Sequence, residues 1–227
     1  MIRGALTAAA VLAVVAALAG QSTGTATITG HVKLTSRVRG TPLASNVYQP
    51  RAVSTRDAEG IPEIRNVVVY VKGVAFAGRL PVSHQEIRQE HQAFAPRVVA
   101  VTRGSTVDFP NSDPVFHNVF SLSSASTFDL GRYPLGHSKS ATFTKAGLVK
   151  VYCHLHSEMS ASILVLDHPY FTIPDLDGSF TLPNVPAGGY TIVGWHERVG
   201  ERTGTVTVRA GGSASIDLSL PLVEQAQ

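Results

Sequence analysis

From residue 24 onward the sequence is a succession of short apolar runs, most of which alternate with polar residues and end at Gly or Pro. Alternation with a period of two is typical of a strand that buries one face. Strands are predicted at 27–34, 67–71, 98–101, 106–109, 116–121, 141–144, 148–153, 161–167, 179–182, 189–195, 204–209 and 214–220. Many short strands at this spacing predict an all-β protein made of β-sandwiches.

Two segments lack a strand pattern. Residues 82–93 look helical but have too few apolar positions to bury a face, so we expect a polar connection there. Residues 36–64 are rich in Arg, Pro, Ser and Gly, which predicts a long exposed loop.

The first twenty residues differ in composition from the rest. Arg3 precedes an apolar stretch over 5–19, and Ala17-Leu18-Ala19 has the small-x-small pattern that signal peptidase accepts. Residues 1–20 therefore read as a signal peptide, and we expect a periplasmic or extracellular protein with no stable membrane insertion after cleavage. An uncleaved anchor is the alternative, although the run is short for a span of about 20 residues.

Charge gives no indication of a polyelectrolyte partner. Charged residues make up 15% of the chain, and the formal net charge is +3. Lys and Arg are spread along the sequence without a cluster, so no nucleic-acid partner is expected.

Cys153 is the single cysteine of the chain. It is an inert buried thiol, an intermolecular partner or a metal ligand, because one cysteine cannot form an internal disulfide. Val149 and Val151 share its strand face, so its sulfur is expected to point inward at the end of a strand. His156 and Met159 follow at spacings of three, which allows one loop to wrap three ligands around one ion.

The donor set matches a known class of metal site. With an upstream imidazole from His117, the chain offers a thiolate, two imidazoles and a weak axial thioether, the ligands of blue-copper centres. A structural zinc site would contain more Cys or His and no Met. A degenerate or non-copper site is the alternative.

Residues 104–166 resemble the cupredoxin family of plastocyanin, pseudoazurin and amicyanin. The resemblance is carried by Gly104-Ser-Thr-Val-Asp-Phe, Asn111, His117-Asn118-Val119, Gly147, Tyr152-Cys153 and the Cys-x2-His-x2-Met loop. It implies a Greek-key β-sandwich with one copper ion in a type 1-like centre. By the same resemblance, His117, Cys153 and His156 would be equatorial ligands, Met159 the axial ligand, and Asn118 a brace of the ligand loop.

The ligand loop also departs from that family. Amicyanin-like loops usually carry Pro between Cys and His, whereas this chain has His154 and Leu155 there. His154 and Glu158 are therefore candidate additional ligands.

A second resemblance is to the prealbumin-like regulatory module of carboxypeptidases. Its marks are an Asp177-Gly178 turn, Phe180-x-Leu182, a turn of the form Pro-x-Gly-x-Tyr at 186–190, and an opening at 30–32 followed by 66–71. We predict that 24–75 begins this sandwich, that 169–222 completes it, and that a cupredoxin domain at 85–168 is inserted between them. The alternative is two consecutive sandwiches divided near 168, with 24–75 in the copper half.

The resulting functional expectation is a one-electron carrier rather than an enzyme. Copper would cycle between Cu(I) and Cu(II), with electrons leaving through His156 and with Leu135 and Leu155 adding apolar docking surface. The redox partner is not identifiable, although the resemblance to amicyanin points to amine (methylamine) oxidation. The alternatives are a copper chaperone or storage protein, and an adhesion or carbohydrate-binding sandwich with a structural or degenerate copper site.

Overall fold

A computed structural model of the protein describes residues 24–37 and 62–223. The predicted signal peptide, and residues 38–61 of the predicted loop, lie outside the described residues. The described part of the chain consists of strands and one 3-10 helix, which confirms the all-β class. Within it, no helix is long and apolar enough to cross a membrane.

The described chain forms eighteen strands, with the 3-10 helix (Glu63–Asn66) between the first and the second. The strands are β1 (Thr25–Arg37), β2 (Val67–Lys72), β3 (His84–Glu86), β4 (Arg88–Glu90), β5 (Ala93–Ala95), β6 (Val98–Thr102), β7 (Thr106–Pro110), β8 (His117–Ser123), β9 (Ser126–Tyr133), β10 (Ser138–Thr142), β11 (Gly147–Tyr152), β12 (Ser160–Leu166), β13 (Phe171–Thr172), β14 (Ser179–Pro186), β15 (Gly188–His196), β16 (Gly200–Val208), β17 (Ser213–Ser215) and β18 (Leu218–Val223).

Strands β3–β12 form a sandwich that we call the central unit. A three-stranded sheet with the order β10-β7-β3 is stacked with a five-stranded sheet with the order β6-β12-β11-β8-β9. Their inward side chains form one core, to which Phe109, Val119, Phe143 and Ile163 contribute while fully buried. The alternation seen in the sequence places these residues inside, since successive side chains of a strand point to opposite faces.

The remaining elements, β1, the 3-10 helix, β2 and β13–β18, form a second sandwich, the flanking unit. One sheet has β1 between β14 and the parallel strands β17 and β18, and the other has the order β13-β2-β15-β16. Pairs such as Val32 with Leu218 join the beginning of the described chain to its end. The division of the chain into domains at 75, 85 and 168 stays a prediction.

The two units share an apolar interface. Val68 of β2 and Val193 and Trp195 of β15 form one buried cluster with Val98 and Leu164 of β6 and β12. β2 is therefore covered on both faces. This explains its continuous β-branched sequence, because a strand buried on both sides does not alternate.

The prediction of a polar connection at 82–93 is wrong. This stretch contains β3 and β4, and β4 pairs with β5 as a hairpin. Ile87 and Gln89 are fully buried. The Nε2 of Gln89 donates hydrogen bonds to the Phe109 carbonyl (3.2 Å) and to Tyr133 Oη (2.5 Å), which offsets part of the cost of its burial. Its buried Oε1 has no hydrogen-bond partner among the described residues.

Candidate metal centre

Three predicted ligands meet at one end of the central unit. His117 is the first residue of β8, Cys153 follows the last residue of β11, and His156 lies in the loop that leads to β12. One ligand atom from each lies within 4.8 Å of the other two. In the part of the chain that the structure describes, this is the one group of three or more His, Cys, Asp or Glu side chains close enough to hold a metal ion.

The distances between these atoms fit a shared ion. Cys153 Sγ lies 3.8 Å from His117 Nδ1 and 3.7 Å from His156 Nδ1. Bonds of about 2.3 Å to sulfur and about 2.0 Å to nitrogen, spread by roughly 120°, require an S–N separation of about 3.7 Å. Both sulfur–nitrogen distances therefore match those of a trigonal His2Cys site.

The loop between β11 and β12 is closed by its own backbone. The Cys153 N–H donates to the Met159 carbonyl (3.3 Å), and the Met159 N–H donates to the His156 carbonyl (3.0 Å). Tyr152 pairs with Ser160 directly beyond this loop. Met159 is 1% exposed and belongs to the same core cluster as Cys153, directly before the first residue of β12.

The surroundings of the thiol favour its ionised form. Burial raises the pKa of Cys153, but hydrogen bonds from the His117 and His156 rings and from backbone N–H groups outweigh this effect, and the pKa is lowered to about 6. The thiolate is the form of cysteine that binds metals. The surroundings of Cys153 thus favour the metal-binding form of its sulfur at neutral pH.

Asn118 links the strand of one ligand to the loop of the others. Its Oδ1 accepts a hydrogen bond from the His154 backbone N–H (2.7 Å), and its Nδ2 donates to Asp129 Oδ1 (3.2 Å). These bonds fix the peptide that follows Cys153 relative to β8 and β9.

The two candidate additional ligands lie outside the cluster. The exposed ring of His154 stacks on Phe120 with 3.7 Å between ring centroids, and its Nδ1 lies 3.3 Å from Asn118 Nδ2. The exposed side chain of Glu158 accepts a hydrogen bond from Ser157. The structure does not bring either side chain together with the three clustered ligands.

Sequence analysis missed one residue of the site. Asp113 is 5% exposed, and its Oδ2 lies 2.8 Å from Nε2 of His117, on the far side of the ring from Cys153. Burial raises the pKa of Asp113, but backbone N–H donors and the His117 ring outweigh it and lower the pKa. The signal available in the sequence was a carboxylate four residues before a predicted histidine ligand.

The charge state of His117 reflects the same neighbours. Burial alone would lower the pKa of His117, whereas its hydrogen bonds with Cys153 and Asp113 raise it above the ordinary value. The ring therefore lies between two anionic groups, one at each nitrogen.

Part of the chain is similar to solved structures of copper proteins. A Cu-containing nitrite reductase from Thermus scotoductus SA-01 is 24% identical with a TM-score of 0.36, over 41% of this chain and 25% of that one. An amicyanin from Paracoccus versutus is 21% identical with a TM-score of 0.35, over 38% and 85%. A purple cupredoxin from Nitrosopumilus maritimus is 21% identical with a TM-score of 0.33, over 36% and 99%.

No family model and no curated protein matches this chain. Similarity to the solved structures is limited to about two fifths of the sequence at low TM-score. What the site can bind therefore follows from its own side chains.

Proposed function

We propose that this chain binds one copper ion in a type 1-like centre and acts as a one-electron carrier. The observation that carries the proposal is that Cys153 Sγ lies 3.8 Å from His117 Nδ1 and 3.7 Å from His156 Nδ1, with one ligand atom of each residue within 4.8 Å of the other two. Met159 would supply the axial thioether. A copper ion held by two imidazoles, a thiolate and a weak thioether supplies one-electron chemistry between Cu(I) and Cu(II).

The residues present the properties that such a carrier needs. Cys153 offers a thiolate at neutral pH, as its lowered pKa of about 6 indicates. His117 is fully buried, whereas His156 is partly exposed and gives the site one edge towards solvent. A ligand loop closed by backbone hydrogen bonds and anchored on a rigid sheet limits rearrangement when the charge of the site changes.

We further propose that the surface around this edge receives a redox partner. Phe116 and Leu155, each next to a predicted ligand in the sequence, are 55% and 38% exposed, and Leu135 is 54% exposed. Large apolar side chains at the surface are typical of protein interaction sites when they occur together. As the resemblance to amicyanin implies, we propose that this partner takes part in amine (methylamine) oxidation.

The cellular setting is also proposed. The apolar sequence of residues 1–20 supports export through a signal peptide and a periplasmic or extracellular location. The sequence marks of the second resemblance, together with the pairing of β1 and β2 with the C-terminal strands, support a prealbumin-like sandwich into which the copper domain is inserted.

Copper reconstitution of the full chain tests the function. We expect one copper per chain, an intense thiolate-to-Cu(II) absorption band, the corresponding EPR signal and reversible reduction. Cys153→Ser should abolish the band, while His84→Gln, which changes an exposed histidine on β3, should leave it intact. A band that survives Cys153→Ser contradicts the ligand assignment.

The same measurements separate the alternatives. Tight binding of Cu(I) without a stable Cu(II) form would indicate copper storage or delivery instead of electron transfer. Absence of stoichiometric copper would rule out both electron transfer and copper handling. It would favour the adhesion or carbohydrate-binding sandwich.

A further inference from the structure

A groove with a volume of about 620 Å³ opens between the central and flanking units. Tyr70 of β2 and Trp195 of β15 line it from the flanking unit. Leu148 of β11 and Leu164 and Leu166 of β12 line it from the central unit. Pockets that bind small molecules have volumes of about 300–1,000 Å³, are mostly apolar and lie preferentially at domain interfaces. The groove therefore has the size, the lining and the place of a small-molecule site.

The groove has an apolar floor and an open mouth. Tyr70 and Trp195 belong to the buried cluster between the units, whereas Leu148 is 37% exposed and lies at the mouth. Gly73 and Gly200 also line the groove, with positive φ of 68° and 72°. A Cβ at either glycine would have no atom within 4 Å. Since these two positions carry no side chain, the rim stays open to solvent there.

Trp195 brings an unpaired hydrogen-bond donor to this groove. Its side chain is 8% exposed, and its indole N–H has no hydrogen-bond partner among the described residues. In the same part of the chain, the fully enclosed side-chain atoms without a partner belong to Asn66 and Gln89, so Nε1 of Trp195 is accessible. A buried indole N–H usually has a partner. An acceptor oxygen that enters the groove would provide one.

The charged residues around the groove are already paired. The described lining residues include Asp167 and Glu201 but no Lys or Arg. Asp167 lies 2.7 Å from Arg103 Nε, and Glu201 lies 2.6 Å from Lys72 Nζ. Burial lowers the pKa of His168, which also lines the groove, so its ring is neutral at neutral pH. Because the lining offers no unpaired charge of either sign, it suits a neutral ligand.

We propose that the groove between the units binds a neutral, flat and largely apolar molecule whose carbonyl oxygen accepts a hydrogen bond from Trp195 Nε1. The aromatic wall favours a flat ring system, because aromatic rings pack well face to face with an offset or edge to face. Roughly 16 Å of extended strand separate Leu148 from Cys153. The groove is therefore separate from the metal centre, and the proposal does not rest on the copper function.

Binding of prodan to the full chain tests this proposal. Prodan is a neutral naphthalene with a ketone oxygen, and its emission moves to shorter wavelength in apolar surroundings. Trp195 is the one tryptophan of the chain, so its fluorescence reports on the groove. We expect saturable binding at one site with energy transfer from Trp195 to prodan. An anionic naphthalene sulfonate of similar size should bind more weakly by about tenfold or more.

Two matched leucine variants locate the site. Leu148→Glu places a carboxylate at the mouth of the groove and should lower the affinity for prodan by about fivefold or more. Leu122→Glu makes the same change on β8, at a leucine that is 77% exposed and does not line the groove. It should change the affinity by less than about twofold.

Trp195→Phe isolates the hydrogen bond, because it keeps an aromatic ring and removes the N–H. Its matched probe is dimethylaminonaphthalene, which is prodan without the carbonyl group. Followed by probe emission, the loss of affinity should be about three- to tenfold larger for prodan than for this probe. If Trp195→Phe does not fold, a lower affinity of the wild type for dimethylaminonaphthalene than for prodan still shows that the carbonyl contributes, and equal affinities contradict it.

Three results would overturn the inference. They are the absence of saturable prodan binding to the wild type, equal losses of affinity in Leu148→Glu and Leu122→Glu, and equally tight binding of the sulfonate. Equal losses of the two neutral probes in Trp195→Phe would contradict the role of the indole N–H. None of these measurements involves copper, so failure of the copper function and failure of this inference are separate results.

Discussion

The central and flanking units share an architecture but differ in what they bury. Both are two-sheet sandwiches with cores of aliphatic and aromatic side chains. Among the described residues, the central unit buries nine polar ones, Gln89, Thr102, Ser105, Asn111, Asp113, His117, Asn118, Ser121 and Ser162. The flanking unit buries Asn66 and His196, and His168 is buried in the connection between β12 and β13. Buried polar groups cost free energy unless they are hydrogen-bonded, so their concentration marks the unit that carries the site.

One histidine from each unit shows the difference most clearly. In the flanking unit, His196 is 1% exposed, and Nε2 contacts Glu63 Oε1 (3.0 Å) while Nδ1 accepts the N–H of Arg198 (3.2 Å). Both ring nitrogens are engaged in the fold. In the central unit, the Nδ1 of His117 faces a thiol and a second imidazole instead. A buried histidine is thus a ligand candidate only when one nitrogen faces other donors.

The largest expected effects come from matched core truncations in the two units. Phe109→Ala and Leu182→Ala each remove a fully buried side chain and should lower the free energy of unfolding by about 3–5 and about 2–5 kcal/mol, respectively. Only Phe109→Ala should also weaken the copper absorption band, because Phe109 belongs to the core that contains Cys153. Denaturant titration and absorption spectra measure the two effects.

If Leu182→Ala weakens the copper absorption band as strongly as Phe109→Ala, the proposed difference between the two units is wrong. It would mean that the units melt together and that the site depends equally on both cores.

The interface between the units should have the next largest effect. Trp195 is buried between the sheets, so Trp195→Ala should lower the free energy of unfolding by about 3 kcal/mol. Because the loss falls on the contact between units, thermal unfolding should separate into two transitions in calorimetry. A single transition with an unchanged midpoint would show that this contact does not couple the units.

Acid should destabilise the flanking unit through Glu63. The hydrogen bond from His196, aided by Arg198, lowers the Glu63 pKa from 4.5 to about 2. A carboxyl group whose pKa is lowered by folding stabilises the folded state at pH values above its pKa in the unfolded chain. This stabilisation is lost as the pH falls from about 4.5 towards 2. Glu63→Gln should therefore cost about 1–2 kcal/mol at neutral pH and almost nothing near pH 2.

Urea titrations of the Glu63→Gln variant and the wild type across this pH range provide the measurement. A difference between the two proteins that stays constant with pH would contradict the assignment to the Glu63 carboxylate.

The smallest expected effect belongs to the polar contact between the units. Glu197 accepts a hydrogen bond from Ser162 Oγ (2.8 Å) and lies 3.2 Å from Lys150 Nζ. Glu197→Gln keeps the shape and should lower the free energy of unfolding by about 1 kcal/mol. The wavelength of the copper absorption band should not change. A shift of this wavelength would show that the flanking unit influences the site through β11.

Much of this fold follows from alternation along the chain. The pattern of Val149 and Val151 predicts both β11 and the inward direction of the Cys153 sulfur, and all three residues are buried. Local alternation suffices here because each strand buries one face against its own core. β9 carries the same signal in Phe128 and Leu130, but these residues are only partly buried and the strand was missed.

The parts that could not be predicted depend on contacts between distant residues. The hairpin at 88–95 has a polar sequence, and its burial depends on bonds from Gln89 to residues in β7 and β9. The place of Asp113 beside His117 depends on hydrogen bonds that its carboxylate accepts from the backbone N–H groups of His91 and Gln92. No local sequence pattern connects these residues. The predicted strand at 214–220 is divided into β17 and β18, which both lie along the same long partner, β1.

The pairing of β1 has a consequence for the order in which the protein can fold. Thr25 pairs with Pro186, and Val32 with Leu218, so the first of the described strands pairs with strands that are synthesised much later. The central unit has all its strands available earlier. Contacts of large sequence separation slow folding, and an unpaired β1 exposes edges that invite aggregation in the meantime. Protection of β1 until β14 and β18 have been synthesised would therefore limit aggregation of this protein.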